Sequence, residues 1–272
     1  MSRNIYALYF SATGTTEKIV EALAEGISAG LNSGAGGRKI NFTFPETRER
    51  ARSFAAGDVV IVGVPVIAGR VPNVLLKYLS MIRGNGALAI AVVVFGNRDY
   101  DDALIELKDL LEQAGFGVIA AGAFIGEHSF SRKLAQGRPD KQDFAVLKQF
   151  AESIAGKILA GNRPLSVRVK GYKPYRDYYK PVDRKGQPVD FRKITPRTGS
   201  GCIDCKVCAD VCPMGSIDYQ DTSRLNGICI KCCACVKKCP VGAKYFDDEN
   251  YLKHQHELEE IYSSRKEPEI FI

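Results

Sequence analysis

The chain has 272 residues, 45% of them hydrophobic, and carries a formal net charge of +7. That composition excludes global disorder and leaves room for one sizeable domain and a smaller one. No apolar run reaches the ~18 residues of a membrane span, and the opening MSRNIYALYFSATG lacks the apolar stretch and cleavage site of a secretory signal. A cytoplasmic protein is expected, in which nine cysteines are metal ligands rather than disulfides.

The first 160 residues alternate apolar runs with helical spacing. A strand is expected over residues 5–10, running straight into SATGTTEK (11–18) and a helix over 16–31. Such a turn presents backbone N–H groups, with the hydroxyls of Ser11, Thr13, Thr15 and Thr16, at a helix N-terminus, where an anion is stabilised. Gly14 lets the backbone approach closely. Neither a Gly-Lys-Ser/Thr ending nor Gly-x-Gly-x-x-Gly is present, which points to a small monophosphate cofactor rather than a nucleoside triphosphate. An ordinary capped helix is the competing reading.

A second strand follows over 40–44, and residues 46–56 supply a helical turn or more before the third strand over 59–64. Next come the loop GVPVIAGRVP (63–72), a helix over 71–82, a strand over 88–95 and the loop FGNRDYDDA (95–103). A helix over 101–114, a strand over 118–124, the loop GEHSFS (126–131) and a helix over 141–159 complete the series. Strands alternating with helices imply parallel pairing through right-handed crossovers, and the apolar run AIAVVVF (89–95) suits a strand covered on both faces. The expected fold is α/β, a doubly wound sheet of five strands.

From 162 to 199 five prolines break the pattern. Eleven Lys/Arg face three Asp between 162 and 200, an excess of eight, so the rest of the chain is almost neutral. This basic stretch is expected to be a linker crossing the surface of either domain. A polar helix is expected over 249–262.

The first 201 residues contain no cysteine. CIDCKVCADVCP from Cys202 and CIKCCACVKKCP from Cys229 then repeat Cys-x2-Cys-x2-Cys-x3-Cys-Pro at an offset of 27, which also carries Gly215 onto Gly242. This duplication marks Cys233, opposite Lys206, as the extra cysteine, a small side chain packed in the little domain. Structural zinc takes paired ligands from two separated knuckles, whereas here three ligands come from one tight turn. The run is the signature of [4Fe–4S] clusters, with the fourth cysteine serving the other cluster. By that rule Cys202, Cys205, Cys208 and Cys239 hold one cluster, and Cys229, Cys232, Cys235 and Cys212 the second.

Residues 199–246 resemble bacterial two-cluster ferredoxins, and Ser-x-Thr-Gly-x-Thr at 11–16 resembles the FMN phosphate loop of flavodoxins. The second resemblance covers about residues 3–160. Joined in this order, the two are similar to the flavodoxin–ferredoxin fusion proteins of anaerobic bacteria and archaea. The resemblance implies a flavodoxin-like FMN domain over 1–161 with strand order 2-1-3-4-5, the linker over 162–199, a small α+β ferredoxin domain with two [4Fe–4S] clusters over 200–246, and a helix and tail over 247–272. It places FMN at the carboxyl ends of the strands. The isoalloxazine would lie between Pro65, Val66, Ile67, Ala68 and Gly69 on one side and Phe95, Gly96, Asn97 and Arg98 on the other. Tyr100 is the expected stacking ring, Arg98 the expected stabiliser of anionic reduced flavin, and Ile67 stands where many flavodoxins offer an aromatic. Glu127 and His128, at the same strand ends, are the candidate catalytic residues, while His254 and His256 read as surface residues.

The implied activity is transfer of single electrons between FMN, the two clusters and a soluble redox partner with an acidic surface, in one chain or across a homodimer. The alternative is an FMN-dependent reductase of a small organic substrate, fed through the clusters. GYKPYRDYYKP (171–181) interleaves basic residues with tyrosines, as single-stranded nucleic-acid sites do. No recognised binding fold accompanies it, and tyrosines anchoring a linker to its own domains are the preferred reading, so no nucleic-acid partner is expected.

Overall fold

The alternating pattern builds a doubly wound α/β unit in the computed structural model, which describes residues 3–33, 37–161 and 166–272. Residues 162–165, where the linker is expected to begin, lie outside these. Strands β1 (Ile5–Tyr9), β2 (Arg38–Asn41), β3 (Val59–Pro65), β4 (Leu88–Phe95) and β5 (Gly117–Ile125) pair in parallel in the order 2-1-3-4-5. Helices α1 (Thr15–Gly30), α2 (Asn73–Met81), α3 (Ala103–Gln113) and α4 (Lys141–Leu159) cover the two faces. This is the flavodoxin-like arrangement. Only a 3-10 turn, Pro45–Arg48, fills the connection from β2 to β3.

The near-continuous apolar strands are explained by their two buried faces. In β3, Val60, Val62 and Val64 pack with Leu75, Leu79, Leu104 and Leu107 of α2 and α3. The alternate residues Val59 and Ile61 pack with Ile19, Leu23, Phe150 and Ile154 of α1 and α4. Period-2 alternation therefore divides one apolar run between two cores.

The cysteine-rich half contains β6 (Arg197–Thr198), α5 (Val207–Asp210), α6 (Ala234–Lys237) and β7 (Lys244–Tyr245), with β6 and β7 paired antiparallel. The duplication extends to the backbone. At the 27-residue offset, left-handed φ values recur at Asp204 (52°) and Lys231 (54°), at Lys206 (62°) and Cys233 (58°), and at Gly215 (58°) and Gly242 (66°). Helices α5 and α6 obey the same offset.

After α7 (Glu249–Ile261), the chain returns to the α/β unit as β8 (Glu269–Phe271). This strand lies antiparallel on β5, with Ala121 opposite Phe271 and Ala123 opposite Glu269. The sheet thus has six strands instead of the expected five, and its β5 edge is covered.

The described part of the linker is fastened to α3. The Asp102 carboxylate accepts from the Tyr172 N–H (3.0 Å), the Arg176 N–H (2.8 Å) and the Arg176 guanidinium (2.7 and 2.9 Å). Lys173 pairs with Asp109 (2.7 Å), and the Tyr178 hydroxyl donates to Val71 O (2.7 Å). The two halves also share a core, because fully buried Ala234 belongs to the α2/α3-side cluster, against which Val211, Ile230 and Cys232 pack. Lys237 Nζ donates to Glu127 Oε1 (2.5 Å), His128 O (2.7 Å) and Ser131 O (3.0 Å). Among the described residues no helix is long and apolar enough to cross a membrane.

Candidate cofactor cleft and cysteine cavities

A cleft with about 1140 Å³ of non-atom space, part of it open to solvent, lies at the carboxyl ends of β1, β3 and β4. Thr13, Thr15 and Thr16 line it where α1 begins. Gly14, at φ 93°, starts that helix without a side-chain cap. Ser11 does not line the cleft; its Oγ accepts from the Glu17 N–H (3.0 Å) and its own N–H donates to Thr43 Oγ1 (2.8 Å). The N–H groups of Thr15 and Thr16 have no protein acceptor among the described residues. A helix N-terminus in this state offers free donors and positive potential to an anion.

Pro65, Val66, Ile67, Ala68 and Gly69 form one wall, and Phe95, Gly96 and Arg98 another. Gly96 is required by a close approach, since a Cβ there would stand 2.3 Å from His128 Cδ2. Arg98 is ion-paired with Asp101 and lies 5.1 Å from the Tyr179 ring centroid.

The rest of the cleft comes from the loop after β5, the linker and the C-terminal half. Tyr179 donates its N–H to Ala68 O (2.9 Å) and stacks on His254 with centroids 5.8 Å apart. Phe130, Phe191 and Leu258 add apolar surface, and Ile230, Lys231 and Cys232 also line it. None of these eight was assigned to the cleft from sequence. The tyrosine-rich linker was the available signal, but nothing in its spacing indicates which ring reaches the cleft.

Several expected site residues lie elsewhere. Tyr100 is buried, packs on Phe95 (5.5 Å between centroids) and donates to Glu269 Oε2 (3.0 Å), so it is a core residue and not a cleft aromatic. Asn97 turns away from the cleft to donate to Tyr262 O (2.6 Å) and Ser264 O (2.8 Å), fixing the segment before β8. Glu127 is occupied by Lys237; burial opposes its charge, but the ammonium prevails and lowers its pKa.

His128 does line the cleft. Its Nδ1 accepts from the Phe130 N–H (3.1 Å), and burial, reinforced by the Lys237 charge, pushes its pKa down to about 3. The imidazole is therefore neutral, with its proton on Nε2. His254, expected at the surface, is only 7% exposed and also lines the cleft, where burial lowers its pKa to about 4. His256 is exposed, as expected.

Two further cavities separate the cysteines. Cys202, Cys205, Cys208 and Cys239 line the outer one, of about 300 Å³ of non-atom space. Cys212, Cys229, Cys232 and Cys235 line the inner one, of about 380 Å³, together with Cys233. Cys212 and Cys239 have thus exchanged partners, each joining the triplet from the other repeat. Backbone N–H groups face their sulfurs at equivalent places: Ser216 N to Cys212 Sγ (3.4 Å) and Ala243 N to Cys239 Sγ (3.2 Å). Burial, with neighbouring sulfurs adding to it, pushes Cys232 and Cys235 up to about 12. Thiolates form there only if positive charge enters with them. Cys233 is 3% exposed, 3.3 Å from the Tyr251 hydroxyl, and packs with Ile194, Phe246 and Tyr251. Among the described residues no group of three or more His, Cys, Asp or Glu is arranged to hold a metal ion.

No protein-family profile matches the chain. Over 121 residues it is 27% identical to a putative diflavin flavoprotein A 4 from Nostoc sp., covering 43% of this chain and 20% of that protein. An archaeal flavodoxin superposes with a TM-score of 0.40 at 15% identity, over 57% of this chain and 99% of the flavodoxin. Rubredoxin oxygen:oxidoreductase from the anaerobe Desulfovibrio gigas gives a TM-score of 0.41 at 20% identity, over 58% of this chain and 37% of that one.

Proposed function

We propose that the chain is an intramolecular electron-transfer protein, holding FMN in the cleft and a [4Fe–4S] cluster in each cysteine cavity. The observation that carries this reading is Cys232, which lines both the cleft and the inner cavity. A flavin against one side of that residue and a cluster on the other would be immediate neighbours within one chain, with no second subunit needed.

The residues present fit both groups. The uncapped N-terminus of α1 and the hydroxyls of Thr13, Thr15 and Thr16 suit a phosphate, and the apolar 65–69 wall suits a flat ring system. Each cysteine set offers four sulfurs around an apolar cavity, and Ser216 N and Ala243 N donate to the sulfurs that cross between repeats. When bound, FMN would supply two-electron or one-electron chemistry and each cluster one-electron chemistry. The chain itself binds the phosphate, packs the ring, excludes water with Tyr179, Phe130 and Phe191, and keeps His128 neutral. Electrons would leave or enter through a soluble redox partner at the outer cluster, beside the exposed Cys202 and Cys205.

Anaerobic purification followed by counting of iron and FMN tests this reading. Roughly eight irons and one FMN per chain are expected; zinc in place of iron would refute it. A second reading, reduction of a small organic substrate in the cleft, is favoured by the neutral His128, whose Nε2–H has no protein acceptor among the described residues. Steady turnover of a nitro- or enone-type substrate by the reduced protein, lost in His128→Ala with FMN retained, would select that reading over the carrier.

A further inference from the structure

The 27-residue offset relates two ends of the cysteine-rich half, and only one of them is covered. At the inner end, Ile230, Pro213 and Met214 border the cysteine cavity and face the α/β unit. Ile230 packs on its core, Arg48 donates to Pro213 O (2.8 Å) and approaches Met214 Sδ (3.9 Å), and Pro45 lies 3.7 Å from where a Cβ on Gly215 would stand. The same offset carries these residues onto Ile203, Pro240, Val241 and Gly242, of which the first three border the outer cavity in the same way. Among the described residues nothing covers them here: Ile203 is 62% exposed, Val241 46%, and a Cβ on Gly242 would meet no atom within 4 Å.

We infer that the outer end, built around Ile203, Pro240 and Val241, docks a second flavodoxin-fold FMN protein, as the inner end docks the chain's own α/β unit. The duplicated backbone presents the same apolar triangle beside a cysteine cavity at both ends, and at one end its occupant is visible. A second copy of this chain is not that occupant. Asp210 occupies the position corresponding to Lys237, so the Glu127 that pairs with Lys237 at the inner end would meet a carboxylate at the outer one. The copy's own α/β unit is also already occupied by its own inner end.

This inference rests on the cluster reading for its purpose but not for its contact. In the docked complex one electron would cross between the partner's FMN and the outer cluster, oxidising one and reducing the other, with no bond made or broken.

The test uses the full iron-loaded chain immobilised under anaerobic conditions and a free single-domain flavodoxin loaded with FMN as the probe, with binding read by surface plasmon resonance. Saturable binding is expected, weakened at least ten-fold by Ile203→Glu and by Val241→Glu and unchanged by Phe144→Glu on α4. Iron counted on each variant shows that the cysteine-rich half is intact, and a wild type without iron would fail the cluster reading while leaving the binding comparison interpretable. Absence of binding, equal binding by all variants, equal weakening by Phe144→Glu, or binding of a free two-cluster ferredoxin in place of the flavodoxin would each overturn the proposal.

Discussion

Replacing Tyr179 by Ala removes the ring that contacts Arg98 and His254 at the cleft. An aromatic contact of this kind contributes about 0.5–1.5 kcal/mol beyond area burial. FMN affinity should therefore fall roughly two- to twelve-fold, read by recovery of flavin fluorescence on titration, whereas Tyr100→Phe should leave it unchanged. The contrast shows what was legible at this scale. Thr13, Thr15 and Thr16 could be placed because a strand, a turn and a helix in direct succession fix their geometry. Tyr100 and Tyr179 are both tyrosines near a plausible site, and what separates them is a hydrogen bond from Tyr179 N to Ala68 O that no local pattern encodes. His254 was misread for a related reason: a polar helix conceals a buried face made of Tyr251, His254 and Leu258. Its pKa of about 4 in the fold lies below the ordinary ~6.5, so the unfolded chain takes up a proton over that interval that the folded chain does not. Stability from this group is complete above about pH 6.5 and declines as pH falls toward 4, by up to about 1.4 kcal/mol per pH unit. Thermal melts between pH 7 and 4.5 should show this fall, and His254→Phe should make it shallower.

Among the elements, the linker segment is held by several contacts, four of them to one carboxylate. The Asp102 side chain has no exposed surface, and its pKa is held down to about 2, chiefly by the Arg176 guanidinium. Hydrogen bonds to a charged group contribute about 1.5–3 kcal/mol, so Asp102→Ala should destabilise the chain by about 3 kcal/mol. Limited proteolysis should then cut between residues 171 and 181, where the wild type resists. The basic and aromatic character of that segment was plain in the sequence, and its use as an internal strap agrees with the preferred reading of it. Strand β4 was legible to the residue because it is long, apolar and buried on both faces. Strand β8 was not, since a three-residue EIF gives no periodicity and its pairing depends on β5, far away along the chain.

For the whole molecule, the order of sites follows from burial: the cleft, then the inner cavity sharing Cys232 with it, then the outer cavity, whose Cys202 and Cys205 are exposed. Cys232→Ser should reduce iron to roughly four atoms per chain, retain FMN, and abolish exchange between flavin and the remaining cluster in anaerobic stopped-flow absorbance. The spacing rule of the repeated motif groups Cys212 and Cys239 each with the other repeat's triplet, and the two cavity linings group them the same way. The docking of one half on the other was not legible, because it depends on side chains such as Lys237 and Ala234 that carry no motif.

One anchorage changes how the cysteine-rich half should be regarded. Val167 N donates to Val118 O near the start of β5 (3.1 Å), and β8 pairs with Ala121 and Ala123 of the same strand. The chain therefore leaves and rejoins a single strand at points three to five residues apart, on the order of 10–17 Å along β5. Topologically the cysteine-rich unit is an insertion in the rim of the sheet, not an appendage hung from its end. A transplant into another flavodoxin-like scaffold would have to carry both attachment points, and excision would need only a short peptide bridge to leave the six-stranded sheet continuous.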